Sequence, residues 1–183
     1  MRKLPENRKL ACVVLAGVIL CSVFGIGTAK LSSARREAVN VFIEGTDTAL
    51  SVRHSMDAYL LRAAEAGVKF AEEADILLPE GKTDALKGYC AVMKDTKAEI
   101  ADRYAAYTSF ATETESVYTL LIKSGSDLKE AEYHYKDILS CENLIKNDAY
   151  GTYARAFNQE TDGFPASVIS SVFGLDELDT FGG

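Results

Sequence analysis

The sequence predicts an all-α protein: an N-terminal transmembrane helix, an elongated antiparallel bundle of three long helices, and a short C-terminal amphipathic helix packing back. Three observations predict it. Residues 10–29 are uncharged and mostly apolar throughout. Three later runs place apolar or small residues at alternating steps of four and three, the seam of helices packed side by side. Only 3 prolines stand in 183 residues, too few breakers for the many turns of a sandwich or barrel. With 48% hydrophobic and 26% charged residues the composition is that of a folded chain, not a disordered one.

The first element is the membrane anchor. Leu10 to Ala29 reads LACVVLAGVILCSVFGIGTA, and a helix of that length, rising about 1.5 Å per residue, matches a hydrocarbon core of about 30 Å. A cleaved signal peptide is the competing reading, since the start is basic and Gly27 and Ala29 stand at the A-x-A spacing. A lipid anchor is disfavoured: Cys21 follows Leu20 rather than a small residue, and Cys12 lies close to the charged start. Arg2, Lys3, Arg8 and Lys9 precede the run and Lys30, Arg35 and Arg36 follow it. That slight excess points to a cytoplasmic N-terminus and an extracytoplasmic remainder. The chain thus divides into a basic segment 1–9, an anchor 10–29 and a helical domain 30–183. Val168 to Phe173 is too short for a second span.

Helix one is expected along the seam Ala38, Phe42, Gly45, Ala49, Val52, Met56, Tyr59, Ala63, Ala66 and Phe70. It closes at Leu77, Leu78 and Pro79, with Thr83 as the next N-cap. Helix two follows Leu86, Cys90, Met93, Lys97, Ile100, Tyr104, Tyr107, Ala111, Thr114, Tyr118 and Leu121, and stops at Ser124, Gly125 and Ser126. Helix three, opened by Asp127, follows Leu128, Ala131, Tyr135, Ile138, Glu142, Ile145, Ala149, Thr152 and Ala156 and ends at Gly163. Three helices of roughly 35 to 47 residues span about 50 to 70 Å, and short connections make consecutive ones antiparallel. Pro165 cannot continue helix three. Phe164, Val168, Val172 and Phe173 recur at helical spacing, so this segment is expected to turn back over an open groove.

Charge narrows the partners. Residues 10–183 hold 16 basic and 26 acidic side chains, which argues against nucleic acid and repels anionic lipid headgroups, so the soluble part is expected to stand away from the membrane surface rather than lie on it, with a hydrophobic attachment. No reaction is visible. Cys12 and Cys21 lie in the apolar run, and a register centred near residue 125 puts Cys90 and Cys141 about 27 Å apart, so two separate core thiols are expected and no disulfide. Glu130, His134 and Asp137 share a helix face, but neither His54 nor His134 follows the Glu-x-x-His pattern of bundle metal sites, so a solvated face is the ordinary reading. The tyrosines from Tyr89 to Tyr153 recur at helical spacing and read as packing. No phosphate loop, nucleophile elbow or Cys-x-x-Cys is present. Catalytic, cofactor and metal residues are therefore none.

The C-terminal stretch, with Tyr153, Phe157, Asn158, Phe164, Pro165, Phe173, Gly174 and Phe181, resembles the closing signature of the LemA family: a Tyr-Asn repeat, Phe-Pro, Phe-Gly, then a final Phe. Asp47, Leu50, Arg53, His54 and Leu60 resemble the family's helix-one stretch. Ala58 stands in place of a usual proline, and Phe157-Asn158 in place of a Tyr-Asn pair. The resemblance implies a bacterial single-pass membrane protein with a helical bundle and no established activity, whose genes often lie near a membrane metalloprotease. The family includes a magnetosome-membrane protein, and some descriptions place the short N-terminus outside the cell. The expectation is a non-enzymatic scaffold or adaptor, held in the bilayer by residues 10–29. Its partner would be a membrane or envelope protein, such as that metalloprotease, or a second copy. The alternative is an extracytoplasmic helical sensor, a class that normally adds a second span and a signalling domain.

Overall fold

A computed structural model of the chain describes residues 4–46, 54–125 and 128–181. Among these the chain is all-helical: α1 Leu4–Glu44, α2 Met56–Leu77, α3 Asp84–Lys94, α4 Ile100–Ser124, α5 Lys129–Lys146, α6 Tyr150–Thr161 and α7 Ala166–Phe173. The accessible surface is 11509 Å², about a third more than the ~8,700 Å² of a compact monomer of this mass. The apolar stretch of α1 adds to this excess, since Leu10, Val13, Val14 and Leu15 are all more than half exposed.

α1 runs unbroken from the apolar segment into the folded domain. Leu10, Val14, Val18 and Ile26 are exposed, whereas Leu31, Ala38, Val41 and Phe42 are buried. α1 is thus both the expected anchor and the start of the expected helix one. It ends where Gly45 takes φ +77°, the left-handed C-terminal conformation that favours glycine, with its N–H donating to Val41 O at 2.9 Å. A side chain at Gly45 would also strike the His54 carbonyl. Helix one is therefore two helices, and the next begins at Ser55, whose hydroxyl accepts from Ala58 N. The expected seam positions Ala49 and Val52, the resembling residues Asp47, Leu50 and Arg53, the stop residue Ser126 and the helix-three opener Asp127 lie outside the described residues.

The expected helix two also divides. Asp95 leaves the helical conformation, its side chain accepts from Lys97 N at 2.9 Å, and the chain reverses over residues 95–99 so that α4 packs antiparallel along α3. Arg103 Nε reaching back to Met93 O at 3.1 Å marks the reversal. A charge at a seam position, Lys97, was the turn itself. Thr83 precedes α3 as expected but leaves that helix uncapped: its hydroxyl donates across the turn to Asp75, which also holds Lys87.

The expected helix three bends at 147–149, where Asp148 accepts from Tyr150 N at 2.8 Å. This break passes the returning chain from α2, which α5 packs against, to α1, which α6 packs against. α2 is the centre of the domain. Its buried face is Ala63, Ala64, Ala66, Gly67, Ala71 and Ala74 with Leu60 and Phe70, and small side chains let α3 and α5 approach closely. An added Cβ at Gly67 would strike the Phe110 ring and lie 2.8 Å from Cys90 Sγ. Gly67→Ala is expected to lower stability by about 1 kcal/mol net, overpacking outweighing the helix-propensity gain. A urea midpoint at or above wild type would show that this contact relaxes without cost.

The C-terminal segment departs from expectation. Of α7 only Ile169 is buried, on α1, while Phe164, Val168, Val172 and Phe173 stay exposed. The core is closed by the residues that follow, Leu178 and Phe181. Asn158 clamps them: its Nδ2 donates to Leu178 O at 2.9 Å and its Oδ1 accepts from Leu178 N at 2.8 Å.

Candidate functional site

The concave feature of most interest lies where α1, the starts of α2 and α4, the 95–99 turn and the C-terminal tail converge, a cavity of about 450 Å³. Its floor is apolar, with Val39, Phe42, Ile43, Ile100 and Leu178. Beneath it Phe181 packs on Phe42, Tyr104, Tyr107 and Tyr150, with ring centroids 5.0 to 6.0 Å apart. Burial pushes the Tyr107 and Tyr150 hydroxyls well above the ordinary phenol value, with Asp179 adding to the effect at Tyr150.

Arg103 is the polar centre. Its side chain is 3% exposed and meets Asp57 Oδ1 through Nη1 at 2.6 Å. Its Cζ lies 5.4 Å from the Phe42 ring centroid, within cation–π range. Two guanidinium nitrogens at this cavity, Arg103 Nη2 and Arg35 Nε, are buried without a hydrogen-bond partner among the described residues, as is the nearby Tyr150 hydroxyl. Such donors are costly to leave unpaired, so an acceptor entering here would be held. Charge alone does not choose it, because Arg35, Lys97 and Arg103 face Asp57, Glu99, Asp176, Glu177 and Asp179 around the lining. A group with both signs on an apolar body matches this lining better than a simple anion does.

Other features singled out in the sequence lie apart from the cavity. Cys90 and Cys141 are free and buried in separate helices. Burial pushes the Cys90 thiol up to about 11 and raises that of Cys141, so neither is a ready nucleophile. Among the described residues no three metal-binding side chains converge. Asp137 instead pairs with Arg62 at 2.7 Å, His134 sits against the Tyr133 ring, and His54 Nδ1 is hydrogen-bonded to Tyr59 Oη at 3.0 Å. Tyr118 and Tyr135 stack at 3.8 Å beside Phe70, joining α4 to α5.

The Arg103–Asp57 pair was not singled out from sequence. A signal existed: Arg103, Tyr107, Phe110, Thr114, Val117 and Leu121 step by four and three, and all are buried. A charge inside a seam is either a turn, as at Lys97, or a buried pair. Comparison with known protein families, with curated proteins and with solved structures finds no match to this chain.

Proposed function

We propose that this chain is a single-pass membrane protein of the LemA type, non-enzymatic, whose elongated helical domain stands outside the cytoplasm and works as a scaffold or adaptor for a membrane or envelope protein. The observation that carries the reading is α1. One helix presents an exposed apolar stretch, long and apolar enough to cross a bilayer, and continues without a break into a buried seam. A cleaved leader would have no need of such a join. Phe157 and Phe181 are core and Asn158 holds the tail, and the LemA assignment rests on the resemblance alone. A membrane metalloprotease as partner rests on the resemblance alone.

Sidedness tests the reading, and the protein supplies its own silent background. Cys90 and Cys141 are buried, and Cys12 and Cys21 lie in the apolar stretch. Tyr133, on α5, is 67% exposed. Tyr133→Cys is expected to label with an impermeant maleimide in intact cells, on chain of full mass, while wild type does not. Label only after permeabilisation would put the domain in the cytoplasm, and label on a shortened chain would establish cleavage.

A second reading, a ligand-binding helical domain, is favoured by the cavity at Arg103. Ligand-dependent thermal stabilisation that Arg103→Met abolishes would select it. Stable partners in a detergent pulldown without added ligand would select the scaffold.

A further inference from the structure

α7 is the least covered apolar element of the folded domain. Val168, Ile169, Val172 and Phe173 share one face of it, Ser167, Ser170 and Ser171 the other. Ile169 is buried, but Val168, Val172 and Phe173 are 40%, 66% and 52% exposed, and Phe164 just before the helix is 88% exposed. No charged residue lies between Phe164 and Leu175.

The position of this face names its occupant. Ile169 Cδ1 lies 2.5 Å from where a Cβ on Gly27 would stand, so α7 is seated directly against α1 at Gly27. Gly27 is two residues, about 3 Å of rise, inside the end of the uncharged run. Ile26 beside it is 72% exposed. Exposed apolar residues of both helices thus stand next to this contact, Ile26 on α1 and Val168 on α7. One step further along α1, Lys30 pairs with Glu160 of α6 at 3.4 Å, the first charge beyond the apolar run and the point where the surface turns polar.

We infer that α7 is an interfacial helix, lying with Phe164, Val168, Val172 and Phe173 in the acyl boundary of the leaflet from which α1 emerges. The inference rests on α1 spanning the bilayer. Interfacial helices bury an apolar face about 5 to 10 Å into that boundary, and a helix seated on Gly27 stands level with the end of the uncharged run. A neutral lipid surface is the match, because α7 carries no basic residue and the domain around it is acidic. α7 thus gives the domain a second point of attachment, beside the span, and fixes which side of the domain faces the membrane.

The chain contains no Trp, so single reporters can be read in the full-length protein. Phe173→Trp, Val18→Trp and Tyr133→Trp variants would be reconstituted separately in phosphatidylcholine vesicles containing brominated phosphatidylcholine. The Phe173→Trp variant is expected to show blue-shifted emission and loss of intensity. The loss should be larger with bromines near the glycerol end of the acyl chain than near its terminus. Val18→Trp should show the reverse depth order, and Tyr133→Trp no loss. Quenching of Val18→Trp without quenching of Phe173→Trp overturns the inference and leaves the span intact. No quenching of either variant overturns the span and the inference together. Blue-shifted emission from Phe173→Trp that appears only as protein density rises, without lipid quenching, assigns the face to a second copy and overturns the inference.

Discussion

Asp57→Ala should lower the unfolding free energy by about 3 kcal/mol, the low end of the range for breaking a buried ion pair. In a domain of this size that is a fall in Tm on the order of 10 °C. The reason is asymmetry. Arg103 is 3% exposed while the Asp57 side chain is 21% exposed, so removing the carboxylate leaves a buried guanidinium without its counter-charge. Arg103→Met strands only a carboxylate at the edge of the cavity, replaces the stem with an apolar one of similar length, and should cost about 2 kcal/mol. The double variant should resemble Arg103→Met alone, a coupling of about 3 kcal/mol. Additive losses measured by denaturant titration would mean that the two residues do not stabilise each other.

Phe181→Ala should cost as much or more, about 3 to 5 kcal/mol, the usual loss for emptying a buried phenylalanine site. Phe181 is 2% exposed and is the only ring in contact with all of Phe42, Tyr104, Tyr107 and Tyr150 among the described residues. It joins α1, α4 and α6. Removal of residues 164–183 should match or exceed that loss, since it also withdraws Leu178 from Asn158. An unchanged Tm for either variant would show that the tail contributes nothing to the core.

The helical class, the apolar anchor stretch and the seam along α2 were all legible in the sequence, because each rests on spacing within one helix. Met56, Ala63, Ala66 and Phe70 are buried as their spacing predicts. What spacing could not convey was reversal. The steps from Met93 through Lys97 to Ile100 keep the same period whether the chain runs straight or turns back, and only the Asp95 side chain, satisfied by Lys97 N, distinguishes the two. Reversal also changes register: Cys90 and Phe110 both lie against Gly67, so distances counted along one uninterrupted helix do not hold. In α4 a second offset of the same period was the correct one, which left Phe110 and Arg103 out of the expected core although both are buried. The cavity could not be read at all, since Arg35, Asp57, Arg103 and Leu178 come from four distant parts of the chain. At the C-terminus the apolar residues of α7 were correctly seen as amphipathic, but the buried anchors were the later Leu178 and Phe181.

In the proposed spanning position, with no break between the apolar stretch and the buried seam, α1 would be a lever as well as an anchor. Its 41 residues give a length of about 60 Å, so a 10° tilt of the embedded half displaces the other end on the order of 10 Å. Spans tilt to match the hydrocarbon thickness around them. The attitude of the domain toward its neighbours would then follow the thickness of the membrane, turning a mechanical property of lipid into a change of reach.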